Sequence, residues 1–238
     1  MPTDATVRLG EIDRLLAATF APSQLGNQSD PLDELIYIIL SAQCEEYNYS
    51  RTFAALRRRF PRWEDARLAG EAAIFEEISL GGLGRKKAGQ IAGLLGALSE
   101  RYGAARLPDL ESMSDDDVES LLVSLPGVGS KTARCVLLYC LDRPSFPVDT
   151  HVWRILARLG LTSPSRAKPD RRDQAALQEM IPPSTRGRMH VNLVLLGRSV
   201  CTARNPRCIE CPLATICATH QAAWADNQIS PIPRGYAP

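Results

Sequence analysis

Four cysteines crowd into a short C-terminal stretch of this 238-residue chain. Six, two and five residues separate Cys201, Cys208, Cys211 and Cys217. Clustered thiols in a chain without a secretory signal more often hold a metal than form disulfides, and four thiolates suffice for one iron–sulfur cubane or one zinc ion. Zinc ribbons and fingers usually pair two short Cys-x2-Cys knuckles, whereas this pattern has one. The spacing therefore favours a [4Fe–4S] cluster over zinc.

Two arginines, Arg204 and Arg207, lie in the loop between the first two of these cysteines. A basic loop there could bind phosphate, and it is nearly as well suited to neutralising the negative charge of an anionic cluster. Residues 120–217 carry 14 Lys and Arg against 6 Asp and Glu, which leaves 14 of the 28 basic and 21 of the 27 acidic residues for the rest. This asymmetry indicates a polyanion-binding face or a solvated basic surface.

A glycine-rich turn precedes a helix-forming stretch in Leu125–Ala133 (LPGVGSKTA). Gly127 and Gly129, separated only by Val128, allow a tight turn whose bare backbone presents N–H groups to an anion. These amides fall at the start of the next helix, where the dipole also favours phosphate. A lone Gly-x-Gly indicates only a turn between helices. With Leu-Pro before it and Lys-Thr-Ala after it, the pattern indicates a helix-hairpin-helix that binds the DNA backbone irrespective of sequence.

A lysine and a carboxylate follow this turn. Asp149 comes eighteen residues after Lys131, at an expected helix N-cap within the sequence PVDTHV. One helix and a return loop fit between them, so we expect the two side chains to face each other across a cleft. Such a pair suggests an amine nucleophile with an acid/base or electrostatic partner, although capping alone would also explain Asp149. His151 is expected to be packed or hydrogen-bonded and not catalytic.

Helices must position these residues, because apolar residues recur at helical spacing almost throughout and no convincing two-residue alternation occurs. The first two helices are expected around Leu9–Phe20 and Leu35–Leu40. The others are expected over residues 89–102, 115–124, 130–141, 149–159, 171–181, 187–199 and 208–217. The two prolines of Leu141–Pro147 predict a link between two lobes. The predicted fold class is all-α.

Composition limits the class of protein further. Hydrophobic residues make up 45% and charged residues 23%, which is typical of a soluble globular chain and excludes wholesale disorder. No apolar stretch approaches the roughly 20 residues of a membrane helix, and the N-terminal residues lack the features of a secretory signal. We therefore expect a cytoplasmic protein without membrane association, found near the nucleoid if the source is bacterial.

Leu125–Ala133, Val148–Val152 and the four cysteines together resemble the endonuclease III family of DNA base excision repair. The resemblance covers nearly the whole chain and implies two helical lobes with a DNA-binding cleft between them. The implied segments are a six-helix barrel at 24–143 with its helix-hairpin-helix at about 110–135, an iron–sulfur lobe from 1–23 and 144–220, and a loose tail at 221–238.

The resemblance also assigns roles to single residues. Lys131 corresponds to the family's Schiff-base lysine and Asp149 to its catalytic aspartate, while the four cysteines correspond to the ligands of a [4Fe–4S] cluster. Gln43, after Ser41-Ala42, and Leu83, after Gly82, correspond to residues that fill the gap left by a flipped base. The implied partner is double-stranded DNA containing damaged bases or abasic sites, bound by a monomer.

Some positions depart from the family pattern. The loop that contains Gln43 is called the wedge loop here, because the Gln43 side chain would fill the gap in the stack. Glu45 and Glu46 follow this loop where a Thr and an Asp are usual, and two acids there should repel phosphate. Related adenine glycosylases carry a catalytic Glu where this chain has Ile38. The implied function is a bifunctional DNA glycosylase and abasic-site lyase that removes oxidised pyrimidines and cleaves by β-elimination. Two alternatives stay open, namely a non-catalytic DNA-damage binder and a zinc-binding interaction module.

Overall fold

This computed structural model describes residues 4–20, 25–79, 84–162 and 168–225. All regular secondary structure in these ranges is helical, which confirms the predicted all-α class. The α-helices are α1 Asp4–Thr19, α2 Pro31–Ser41, α3 Glu46–Arg59, α4 Trp63–Ile78, α5 Gly84–Tyr102, α6 Asp115–Val123, α7 Ser130–Tyr139, α8 Thr150–Arg158, α9 Arg171–Met180, α10 Arg186–Ser199 and α11 Ala218–Ala225. Within the described ranges, no helix is both long and apolar enough to cross a membrane.

The chain folds as two compact units. The six-helix unit comprises Gly26–Arg143 and contains α2 to α7. The terminal unit combines residues 1–25 with 144–238 and contains α1 and α8 to α11. The sequence predicted the limits 24–143 for the first lobe, and 1–23 with 144–220 for the second. The division falls inside the proline-bearing stretch 141–147.

Apolar rows build the core of the six-helix unit. Asp30 starts α2 as its N-cap, because its Oδ1 accepts hydrogen bonds of 2.9 Å from the backbone N of Leu32 and of Asp33. The large apolar side chains that α2, α5 and α6 bury completely include Leu35, Ile36, Ile91, Leu94, Leu95, Leu98, Val118 and Leu122. Each contributes roughly 1.5–3 kcal/mol relative to an exposed side chain, so this packing holds the unit together.

Arg143, the last residue of the same unit, binds the segment that precedes α6. The Nη1 of Arg143 donates to Met113 O at 2.8 Å, and its Nη2 donates to Glu111 O at 3.0 Å. Arg143 also pairs with Asp115 at 2.9 Å. These contacts fix the irregular segment 103–114 where it leads into α6.

The terminal unit joins the two ends of the described chain by packing α1 against α10. Leu9, Ile12 and Leu16 of α1 are fully buried. Asp13, on the same helix, accepts a bidentate pair of hydrogen bonds from Arg188, with 2.6 Å between Nη2 and Oδ2. The unit therefore depends on contacts between residues more than 170 positions apart.

Three predicted boundaries are wrong. α5 begins at Gly84, five residues before the expected start at Gly89. The expected helix over 208–217 is instead two 3-10 turns, Cys208–Glu210 and Ala214–Ile216. Cys211 between them is extended because the residue before a proline, here Pro212, disfavours helical geometry. The predicted loose tail begins too early, since residues 221–225 belong to α11, and 226–238 lie outside the described residues.

Candidate functional site

The helix-hairpin-helix consists of α6, a turn at 124–129, and α7. The turn is closed by backbone hydrogen bonds from Leu125 N to Leu122 O at 3.1 Å and from Val128 N to Leu125 O at 3.2 Å. Val128 is buried in the core, whereas Gly127 and Gly129 are exposed. Gly129 is the N-cap of α7 and has no side chain to accept from the first amides of the helix. Those amides therefore suit an external anion.

The two glycines are needed for different reasons. Gly127 has a φ of +78°, a left-handed conformation that other residues adopt at a cost of roughly 1–2 kcal/mol. Gly129 has a φ of −104°, and a Cβ built there meets nothing within 4 Å. The backbone conformation thus favours glycine at position 127. At position 129 the fold itself tolerates a side chain, and only the close approach of a ligand would require glycine.

Polar contacts between α6 and α7 stabilise the hairpin. Ser130, the first residue of α7, donates its hydroxyl to Oε1 of Glu119 on α6. The second carboxylate oxygen of Glu119 accepts from Nε of the buried Arg134 at 3.2 Å. These residues were missed at the sequence level, because Glu119 lies eleven and fifteen positions from its partners.

Lys131 occupies the first turn of α7 and is half-buried. It interacts electrostatically with Glu34, a fully buried residue of α2 in the same unit. Glu34 accepts hydrogen bonds from Asn27 Nδ2 at 2.5 Å and from Gln28 N at 2.8 Å. Burial raises the pKa of Glu34 to about 7, against the opposing effects of these hydrogen bonds and of Lys131. Sequence reasoning missed Glu34, which reads as an ordinary acid in a first helical turn.

Asp149 belongs to the terminal unit, where it is the N-cap of α8 as predicted. Its Oδ1 accepts from Val152 N at 2.8 Å. The buried segment before it is held by two glutamines on α9. Gln174 Oε1 accepts from Val148 N at 3.1 Å while its Nε2 donates to Val148 O at 2.8 Å, and Gln178 Oε1 accepts from Phe146 N at 2.6 Å. The chain preceding Asp149 is thus clamped by side chains that the sequence did not single out.

His151 packs at the start of α8. A Cβ on Gly197 of α10 would lie 2.7 Å from the His151 Cβ, so only glycine fits there. The His151 Nδ1 lies 3.1 Å from Nη2 of Arg154. Burial lowers the pKa of His151, which fits the expected packed role.

The predicted wedge loop follows α2. Gln43 is exposed, with a left-handed φ of +51° that is uncommon for a residue other than glycine. The chain just before it is held by Lys87, a buried residue of α5 whose Nζ donates to Leu40 O at 2.7 Å. Glu45 and Glu46 are both exposed. The second predicted wedge residue, Leu83, lies outside the described residues.

The four clustered cysteines form no disulfide, and all of them line one cavity of the terminal unit. In the described part of the chain, no three His, Cys, Asp or Glu side chains are arranged to hold a single metal ion. Four thiols around one cavity are the ligand set that an iron–sulfur cubane requires.

The electrostatics of this cavity also favour a bound cation. Burial, and to a smaller extent the neighbouring cysteines, raise the pKa of the Cys211 thiol to about 12. Burial likewise raises the pKa of Cys208. Thiolates here therefore need compensating positive charge, which iron supplies and to which Arg158 adds through its Nη1, 3.1 Å from the Cys201 Sγ.

The two arginines of the cluster loop differ. Arg207 donates to Ser199 O at 2.6 Å and pairs with Glu210 at 2.9 Å. Arg204 is exposed, and its backbone O accepts from the Thr202 hydroxyl at 2.6 Å. Of the two, Arg204 has the side chain better placed to meet a ligand from solvent.

Known proteins resemble this chain in both sequence and fold. Residues 36–183 match the profile of the HhH-GPD superfamily base excision DNA repair proteins, and residues 201–217 match that of the iron-sulfur binding domain of endonuclease III. Endonuclease III of Bacillus subtilis is 34% identical over 81% of this chain and 83% of its own. A protein of Arabidopsis thaliana named as a DNA glycosylase is 41% identical, but the chain spans only 44% of its length.

Solved structures give the same relationship. The structure of a non-covalent endonuclease III–DNA complex has a TM-score of 0.79 and 26% identity, covering 94% of this chain and 100% of the other. A trapped endonuclease III–DNA covalent intermediate has a TM-score of 0.78 at the same identity. These matches confirm the predicted base excision repair DNA glycosylase and its iron–sulfur cofactor. The chain belongs to the endonuclease III family.

Proposed function

We propose that this protein is a bifunctional DNA glycosylase and abasic-site lyase that removes oxidised pyrimidines from duplex DNA and acts as a monomer. The observation that carries the proposal is the position of Lys131. This lysine stands in the first turn of α7, two residues after the N-cap Gly129, which leaves the helix amides to an external anion. A phosphate bound at those amides would bring the neighbouring sugar towards the lysine amine.

Binding would begin at the hairpin. Gly127, Val128 and Gly129 would present backbone amides to a phosphate, which requires no particular base sequence. Arg204, exposed on the cluster loop, would add a second phosphate contact. Gln43 and Leu83 would fill the stack after the damaged base has turned out, a rotation that costs a few kcal/mol and is easiest for damaged or poorly paired bases. The left-handed backbone of Gln43 supports this role, because strained residues often lie at functional sites.

The chemistry would then be that of a primary amine. The Lys131 Nζ attacks C1′ of the sugar, the base leaves, and the resulting Schiff base acidifies the C2′ proton. Loss of that proton allows β-elimination of the 3′ phosphate. An unperturbed lysine, with a pKa of about 10.4, is almost wholly protonated at neutral pH, so the folded site must supply the free amine.

Asp149 would be the carboxylate that stabilises the developing sugar cation or relays a proton. Its side chain is fixed by the bond to Val152 N, and Gln174 clamps the residue before it. A carboxylate held in this way keeps one orientation during the reaction, which is what electrostatic stabilisation requires.

Cys201, Cys208, Cys211 and Cys217 would hold the [4Fe–4S] cluster. Bound there, the cluster supplies a structural link between segments that have only 3-10 turns of their own, or an electron-transfer centre. The residues of the proposed reaction are outside this cavity.

Borohydride trapping tests the central claim. With a duplex containing an abasic site, the protein should form a covalent adduct, and Lys131→Arg and Lys131→Gln should abolish both the adduct and strand cleavage. Lys131→Arg keeps the charge but lacks the primary amine, so it separates a Schiff base from a phosphate contact. Lys86→Arg, at an exposed lysine of α5 in the same unit, is the matched control and should still be trapped.

Other outcomes have distinct meanings. A trappable intermediate in Lys131→Arg would identify another amine as the nucleophile. Binding without turnover on thymine glycol, 5,6-dihydrouracil and abasic duplexes would instead support the damage-binding alternative, which the departure from the family pattern at Glu45 and Glu46 leaves open.

A further inference from the structure

One arginine holds the cysteine cluster from outside the cysteine motif. Arg158 is the last residue of α8 and lines the cavity of the four thiols. Its Nη1 lies 3.1 Å from the Cys201 Sγ and donates to Thr202 O at 2.8 Å, while its Nη2 donates to Ala203 O at 3.1 Å. The planar guanidinium thus spans the first ligand and the two carbonyls that follow it.

The backbone of the same residue faces the other end of the motif. Arg158 O accepts from the Thr219 hydroxyl at 3.0 Å and lies 3.4 Å from the Cys217 Sγ. The first and last cysteines are sixteen positions apart, yet both meet this one residue. α8 therefore provides a fixed point for a segment that contains only short 3-10 turns.

We propose that Arg158 is a positioning residue for the iron–sulfur cluster, which fixes Cys201 and, through its N–H···S hydrogen bond, favours the reduced state of the cluster. The inference rests on the iron–sulfur cofactor and not on the lyase reaction. Reduction adds one electron from an external donor, such as an electrode, and the added negative charge spreads over the iron and sulfur atoms. A charged N–H donor at a ligand sulfur stabilises that charge, so the reduction potential rises.

Two neighbouring arginines show what is particular to Arg158. Arg154, one turn earlier on α8, donates to Cys201 O at 2.9 Å and to Gly197 O at 3.0 Å. Arg207 lines the same cavity, but its guanidinium is bound to Ser199 O and Glu210. Arg158→Met and Arg207→Met each remove one positive charge beside the cavity, and of the two only Arg158→Met removes the hydrogen bond to the Cys201 Sγ.

The test is the reduction potential of the full-length, cluster-loaded protein without DNA, measured by voltammetry on the fraction that keeps its visible absorbance. Arg158→Met should shift the reduction equilibrium at least tenfold towards the oxidised state, which is about 59 mV for a one-electron couple. Arg207→Met should shift it less than threefold. Arg158→Lys should lie between Arg158→Met and the unaltered protein, because a lysine keeps the charge but cannot span three acceptors.

Iron release to a chelator gives a second measurement. Arg158→Met and Arg158→Lys should both lose iron faster than Arg207→Met, because the fork that fixes Cys201 is gone. Equal potential shifts in Arg158→Met and Arg207→Met would show that only net charge matters and would overturn the proposal. An unchanged reduction potential in Arg158→Met would also overturn the proposal. If Arg158→Met does not retain a cluster, an unchanged potential in Arg158→Lys would overturn it. Because no DNA is present, these outcomes are independent of any loss of lyase activity.

Discussion

The two units hold their proposed functional residues by different means. In the six-helix unit, Lys131 follows a backbone turn between α6, which buries Val118 and Leu122 completely, and α7, which buries Ala133 and Val136 completely. In the terminal unit, side chains bind backbone groups directly. Gln174 clamps Val148 before Asp149, and Arg158 clamps Cys201 and its neighbours. Apolar packing spreads its stabilisation over many contacts, whereas a polar clamp concentrates it in one side chain. Among the residues that support a functional residue, single substitutions should therefore affect function most in the terminal unit.

The largest expected effect is loss of the iron–sulfur cluster, which a substitution in the terminal unit should cause and one in the six-helix unit should not. Cys211→Ser should abolish the absorbance near 400 nm and lower the iron content from about four per chain, because one of four ligands is lost. The segment 208–217 should lose order with it, since its own structure consists of two short turns. Cys135→Ser, at a buried cysteine of α7 outside the cluster, is the control and should keep its iron. Stoichiometric zinc with no visible absorbance in the unaltered protein would contradict the cluster assignment.

A matched pair compares a polar clamp with a core leucine. Gln174→Ala leaves two buried backbone groups unpaired, at about 1–3 kcal/mol each, and Leu94→Ala costs about 2–5 kcal/mol. Their losses in unfolding free energy should thus be similar. Strand cleavage by the folded protein should fall at least tenfold only in Gln174→Ala, because Val148 directly precedes Asp149. Equal activities would show that the clamp serves stability alone.

Glu34 is a completely buried acid of the six-helix unit, and it predicts a pH effect. Its folded pKa of about 7 exceeds the ordinary 4.5, so its contribution to stability is fully present below pH 4.5 and is lost as the pH rises through 7. Glu34→Gln should remove this dependence. The stability of the variant relative to the unaltered protein should therefore rise by up to about 3 kcal/mol between pH 5 and pH 8.

Denaturant unfolding at the two pH values measures this difference. Glu45→Gln, at an exposed acid of the same unit, is the control. A parallel pH dependence in Glu34→Gln and the unaltered protein would mean that Glu34 stays ionised throughout this range.

The smallest effect concerns the hairpin glycines. Gly127→Ala should cost about 1–2 kcal/mol of stability, because its φ is +78°. Gly129→Ala should cost little stability, since its Cβ meets nothing within 4 Å, but it should weaken DNA binding irrespective of sequence. Binding is best measured over a salt series, in which the unaltered protein should show a steep log–log slope. Undiminished binding in Gly129→Ala would identify the segment as an ordinary turn.

Local patterns explain what could be predicted from the sequence. The hairpin lies within about 25 residues, and the cysteine ligands within 17, so their spacing alone predicts a turn and a cluster. The core rows were predictable because apolar residues on α5 recur at helical spacing and are buried together.

The clamps could not be predicted, because their partners are distant in the chain. Gln174 lies 26 residues from Val148, and Arg158 lies 43 residues from Cys201. A glutamine or arginine on a helix surface carries no mark of its partner until the fold brings the two together. Glu34 was missed for a related reason, since only its burial distinguishes it from the neighbouring Asp33.

The contrast between the two hairpin glycines has a consequence for natural variation. At position 127 the chain's own backbone requires glycine, so every member that keeps the hairpin should keep it, whether or not it still acts on DNA. At position 129 the protein alone tolerates a methyl group. Under relaxed selection for DNA binding, substitutions should therefore accumulate at 129 first, which would make that position a marker of lost function in the lineage.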